Sequence, residues 1–139
     1  MIRDRLLGTW ELVSYESYEP DGRERLPFAN AVGRITYDPD GNMTGQVMRP
    51  GRAVVDSRTG GYDRLRAAYT GYIAYFGTYE ISADEATVVH HVVGALNPAM
   101  VGSDQVRRLR FDGDRLVLEA HVQKPDGTAR HVLTWQRIS

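Results

Sequence analysis

Gly8-Thr9-Trp10-Glu11-Leu12-Val13-Ser14-Tyr15 near the start of the chain and Leu133-Thr134-Trp135-Gln136-Arg137 near its end both read as strands. In the first, strict alternation puts Trp10, Leu12, Ser14 and Glu16 on one face. In the second, His131, Leu133, Trp135 and Arg137 share a face. Matched ends of this kind predict a sheet closed on itself, with first and last strands as neighbours. A closed sheet has a floor and an interior, and that interior can form a ligand site.

Between these ends, turn signals recur at short intervals. Pro20-Asp21-Gly22, Pro39-Asp40-Gly41, Asp112-Gly113-Asp114 and Pro125-Asp126-Gly127 separate segments rich in β-branched and aromatic residues. Strands are predicted over 9–18, 33–38, 43–49, 75–82, 87–95, 104–111, 116–124 and 128–138. Taken as an antiparallel meander, they make an all-β, eight-stranded up-and-down barrel in a single domain spanning 1–139. Residues 50–74 break the rhythm. After Gly60-Gly61 a short helix is predicted around 62–71, with Leu65 and Tyr69 one turn apart.

Composition narrows the functional classes. The 139 residues suffice for one real core, and a net charge of −1 argues against nucleic acid or an anionic membrane as the main partner. Of 17 basic residues only Lys124 is a lysine. No cysteine is present, which excludes disulfides, thiol nucleophiles and thiolate metal sites. No signal-peptide pattern and no apolar run of spanning length are found, so the expected location is cytoplasmic.

Residues opposite each other in a ladder point to the same face, so each turn assigns inward positions. A two-residue turn at Asp126-Gly127 pairs Val122 with His131 and Leu118 with Trp135, which turns His131 inward and His121 outward. The turn at 112–115 pairs Phe111 with Leu116 and puts Arg107 and Gln105 inside. A two-residue turn at Asp40-Gly41 pairs Ile35 with Gln46 and Gly33 with Met48, predicting Gln46 and Met48 inside. Strand direction places Trp10, Tyr37, Phe111, Leu116, Trp135 and Arg137 at one end. Glu16, Met48, Gln105, Arg107 and His131 lie at the other, with the 50–74 insertion and the 96–102 loop beside them.

These stretches carry a family resemblance. Besides the two terminal strands they are Gly33-Arg34-Ile35-Thr36-Tyr37 with Asp40-Gly41, and Gln46-Val47-Met48-Arg49-Pro50-Gly51-Arg52. Gly77-Thr78-Tyr79-Glu80, Val89-His90-His91-Val92 and Gln105-Val106-Arg107-Arg108 continue the match. The chain resembles the lipocalin-like domain family of bacteria and fungi, nearly end to end. The resemblance implies a small barrel with a central cavity and no single activity. It also implies that Trp10 plugs the barrel floor, beside Trp135, with Arg137 packed over the Trp10 ring. The Thr-Asp-Tyr motif and disulfide pair of secreted lipocalins are missing.

His90 and His91 are adjacent, so a strand sends one to each face, and the apolar run around them does not choose. A turn at Asp84-Glu85 would pair Tyr79 with His90 and favours His90 inward. The candidate ligand-binding residues are then Gln46, Met48, Tyr75, Tyr79, His90, Gln105, Arg107 and His131. No HxH or HExxH spacing is present, so no metal site is predicted. No Gly-x-Ser-x-Gly, GxGxxG or P-loop is present either, and no cofactor is predicted.

The polar groups have two readings. In one, Arg107 pairs with Glu16 inside the barrel and His131 bonds a neighbour, a purely structural arrangement. In the other they converge on a small, mostly hydrophobic ligand bearing a carbonyl or carboxylate. Arg107 would hold its oxygen, Gln46, Gln105 and His131 would orient it, and Tyr37, Tyr75, Tyr79 and Phe111 would supply contact area. An enzyme in the same cavity is the alternative: a cofactor-free cyclase or isomerase of natural-product biosynthesis, including Diels–Alder-type chemistry, with His131, His90 and Arg107 as catalytic groups. A module that docks another protein is a third reading, and an oligomer is compatible with all three.

Overall fold

The computed structural model describes residues 1–25, 27–55, 58 and 61–139. Gly60, expected to open the turn before the helix, lies outside the described residues. A five-residue helix, α1 (Ile2–Leu6), leads into β1 (Gly8–Tyr18) and β2 (Glu24–Arg25). Then come β3 (Val32–Tyr37), β4 (Asn42–Met48), the helix α2 (Gly61–Thr70) and β5 (Tyr72–Ile81). β6 (Thr87–Ala95), a 3₁₀ turn (Pro98–Met100), β7 (Asp104–Asp112), β8 (Arg115–Lys124) and β9 (Gly127–Arg137) complete the chain.

Eight long strands run β1-β3-β4-β5-β6-β7-β8-β9, each antiparallel to the next, and β9 pairs back onto β1. The barrel is closed, as the terminal strand patterns imply. Closure leaves no unpaired edge among the long strands. The two-residue β2 is a ninth strand, folded onto the upper end of β1. Sequence reading missed it because two residues carry no period.

One end is plugged by aromatics and by α1, which the sequence also concealed. Leu6 is fully buried, and its carbonyl accepts from Trp10 Nε1 at 2.9 Å. The Arg137 guanidinium lies 4.3 Å from the Trp10 ring centroid and donates to the carbonyls of Arg5 and Leu7. Those carbonyls have no helical acceptor role left, being at the end of α1, so one side chain satisfies both. Phe111 packs against Trp10 with centroids 6.2 Å apart, and Tyr37, Leu116 and Trp135 fill the layer above.

Three registers explain where the inward faces lie. At β8–β9 the partners are Leu118↔Leu133 and Ala120↔His131, two residues from the expected pairing, because Pro125-Asp126 forms the tip. A slip of two preserves the face, so His131 still points inward. At β3–β4 the partners are Tyr37↔Met43, Ile35↔Gly45 and Gly33↔Val47. The loop is one residue longer than expected: the Asp38 carboxylate accepts from the N–H groups of Asp40 and Asn42, both at 2.9 Å, and Gly41 takes φ +93°. A slip of one reverses the face, so Gln46 and Met48 point outward, correcting their expected inward placement. In β1 a bulge falls between Leu12 and Ser14, which turns Tyr15 and Ser17 inward and Ser14 and Glu16 outward.

A second bulge, between Phe76 and Gly77, sets the β5–β6 register. A Cβ at Gly77 would lie 1.9 Å from the His91 carbonyl oxygen, a backbone atom that cannot move without breaking the ladder. Gly77→Ala is therefore expected to cost about 2–3 kcal/mol, read from denaturant unfolding. A loss below about 0.5 kcal/mol would show that the bulge is plastic. Among the described residues no helix is long and apolar enough to cross a membrane.

Candidate functional site

Above the floor the barrel encloses a cavity of about 110 Å³. Ile35, Val47, Ile73, Leu118, Leu133 and the Trp135 ring make it mostly apolar. Tyr15, Tyr75, His90, Arg107 and His131 add polar groups to its wall. An apolar cavity of about 150 Å³ takes up benzene. The space here is somewhat smaller than that, so a bound ring or short branched chain would fill it and reach toward its mouth. α2 contributes no residue to the lining and buries none of its own side chains.

His90 faces inward, paired with Tyr79 on one side and Gln105 on the other, which answers the ambiguity of the double histidine. It is 1% exposed. Its Nε2 meets the Tyr37 hydroxyl at 2.6 Å and its Nδ1 meets the Tyr75 hydroxyl at 2.7 Å. Burial, and then the nearby Arg107 and His91, lower its pKa to about 3. Burial likewise pushes Tyr37 well above the usual phenol range and Tyr75 above it. The trio is neutral.

His91 faces the outside, where Asp104 at 2.7 Å and Glu80 at 3.4 Å raise its pKa. Among the described residues no three His, Asp or Glu side chains are placed to hold a metal ion.

Arg107 comes from the inner face of β7. It donates to the Gln105 amide oxygen at 3.2 Å and to the Val106 carbonyl at 3.0 Å. No ion pair among the described residues includes it. The Arg107–Glu16 pair expected under the structural reading does not form, because the β1 bulge turns Glu16 outward. There Glu16 accepts from Ser14 at 3.4 Å and from the Tyr18 hydroxyl. A cation thus borders a mostly apolar cavity without a carboxylate partner among the described residues.

His131 lines the cavity with Nδ1 at 2.5 Å from the Ser17 hydroxyl and with Tyr15 against its edge. Half-burial, then the positive charges of Arg25, Arg107 and Lys124, lower its pKa. Gln105 lies at the upper rim, its amide nitrogen donating to Ser103. The other expected residues go elsewhere. Gln46 borders the cavity through its place in β4, while its amide oxygen accepts from Tyr72 on the outer face. Met48 pairs with Val32 and Tyr72 and does not line the cavity. Tyr79 sits below it, edge-on to Tyr37 at 4.9 Å, with its hydroxyl donating to the Asp38 carbonyl.

Tyr15 and Ser17 were missed. The available signal is the spacing of three between Leu12 and Tyr15, which a regular strand cannot place on one face. Trp135 carries a further feature: its ring lines the cavity and its Nε1–H is buried without a partner among the described residues.

A family model described as a lipocalin-like domain matches residues 7–138. No curated protein matches the chain. Among solved structures, it is similar to zebrafish ileal bile acid-binding protein complexed with cholic acid. That likeness has a TM-score of 0.45 and 18% identity, covering 96% of this chain and 99% of the other.

Proposed function

This chain belongs to the lipocalin-like domain family, and from that premise we propose that its barrel binds a small, mostly apolar molecule bearing a carbonyl or carboxylate. The observation that carries the proposal is Arg107: a cation on the wall of an apolar cavity, with no carboxylate partner among the described residues. Leaving a charge half-buried and unpaired is costly unless an anion or polarised oxygen joins it. Arg107 would hold that oxygen, and His131 would bound the other side of the space.

The cyclase or isomerase alternative rests on weaker ground. An acid–base catalyst works best with a pKa near the operating pH, whereas His90 sits near 3 with both nitrogens engaged. His131, with Nδ1 on Ser17, is the better acid–base candidate of the two. Turnover of a bound compound that drops in His131→Ala would favour the enzyme.

The test begins with native mass spectrometry of freshly purified protein, followed by calorimetry with benzoate and cyclohexanecarboxylate. Binding in the cavity is expected, with Arg107→Ala weakening benzoate roughly 10- to 100-fold through loss of charge-assisted bonds. Affinity for toluene should stay within about twofold. Absence of a co-purifying molecule, together with no binding of either acid, would sink the proposal.

A further inference from the structure

Resting on that cavity, we infer that Tyr37, His90 and Tyr75 form a directed hydrogen-bond chain that fixes the Tyr75 hydroxyl as a donor toward the ligand. The site would then select molecules by a hydrogen-bond-accepting oxygen and reject molecules of the same shape that lack one.

The direction follows from counting protons. A neutral imidazole carries one N–H and one lone pair, so one tyrosine must donate to His90 and the other must accept from it. Suppose Nε2 carries the proton and donates to Tyr37. The Tyr37 hydroxyl proton then needs another acceptor, yet Tyr37 is 1% exposed and His90 is its one hydroxyl partner among the described residues. A buried donor without a partner is disfavoured by more than a typical bond contributes. Tyr37 must therefore donate to Nε2, which puts the proton on Nδ1 and makes Tyr75 the acceptor.

Tyr75 then has its own proton to place, directed away from His90. Tyr75 lines the cavity, whereas Tyr37 does not. The strain-free outlet for that proton is a ligand oxygen or water in the cavity. Two further groups on the wall agree in sign. Arg107 can only donate, and the Trp135 Nε1–H has no partner among the described residues. A protonated, doubly donating His90 would reverse the logic, but burial and the adjacent guanidinium keep the ring neutral down to about pH 3. Donors placed in this way suit a ketone, ester or carboxylate oxygen.

Two measurements on the full chain test this. The first is nitrogen-15 NMR of histidine-labelled protein at pH 7, which reads the tautomer without any ligand. His90 is expected as the Nδ1–H form; the Nε2–H form overturns the inference. The second compares acetophenone with α-methylstyrene, which have the same shape and differ in C=O against C=CH₂. Wild type is expected to favour the ketone about five- to tenfold.

Tyr75→Phe should level the two. Tyr37→Phe, which lies off the cavity wall, should keep the ketone preference, because an Nε2–H facing the phenyl ring would be a buried donor without a partner, so the proton stays on Nδ1 and Tyr75 still donates into the cavity. Both variants should hold α-methylstyrene within about twofold of wild type. Equal affinities in wild type, or a preference untouched by Tyr75→Phe, would overturn the inference. If neither compound binds, the cavity proposal fails, and the tautomer still decides the chain's direction.

Discussion

Trp10→Ala is expected to destabilise the protein by about 3–5 kcal/mol, the largest single loss predicted for this chain. Trp10 is 1% exposed and touches three further pieces of the chain. Its indole N–H bonds the Leu6 carbonyl, which docks α1; its face carries the Arg137 guanidinium from β9; its edge meets Phe111 from β7. Truncation leaves a cavity the size of a bicyclic ring at the point where β1 and β9 close the barrel. It also strands the buried Leu6 carbonyl, which adds to the transfer cost. For a chain of this length the melting temperature should fall roughly 10–20 °C. Trp10→Phe, which restores a ring without the N–H, should recover part of the loss. A drop under about 3 °C in Trp10→Ala would show that closure does not depend on the floor.

Acidification should destabilise the protein through His90 even where no carboxylate titrates. Its folded pKa is about 3, against an ordinary value of 6.5. Below pH 6.5 the unfolded chain takes up a proton that the native state refuses. The contribution is thus fully present above pH 6.5 and is lost as pH falls toward 3. Each pH unit in that window costs about 1.4 kcal/mol per differential proton, for roughly 4–5 kcal/mol across it. His131, also lowered, acts in the same direction.

His90→Gln isolates the effect, since an amide offers one donor group and one acceptor to the two tyrosines without titrating. Plotted against pH between 6 and 4, the stability of His90→Gln should fall less steeply than wild type by about one proton's slope. Parallel curves would show that His90 charges freely in the native state.

The closed barrel was legible because its signals are local. Alternation over β1 and β9, and Pro-Asp-Gly turns between strands, need only neighbouring residues to be read. The inward placement of Arg107 and Leu118 follows from the 112–115 turn, whose register is the expected one, and His131 stays inward although the β8–β9 tip differs, because a slip of two residues leaves every side chain on its face. Gln46, Met48 and Glu16 were misassigned for the opposite reason. One extra loop residue at 38–42 and one bulged residue in β1 each reverse a face, and neither leaves a period in the sequence. The short α1 and β2 were invisible on the same ground.

Composition and periodicity alone thus carried the fold class and the pairing of the chain's ends, since these depend on repeated local preferences. The site was decided by tertiary structure. Arg107 stands on the cavity wall without a carboxylate partner among the described residues, and a bulge in a distant part of the chain turns Glu16 away from it. His90 became a buried link between two tyrosines only when Tyr37 and Tyr75, 53 and 15 residues from it in sequence, met its two nitrogens. Such meetings depend on the sum of every loop length and bulge between the partners, and a single residue of error in any of them exchanges inside for outside.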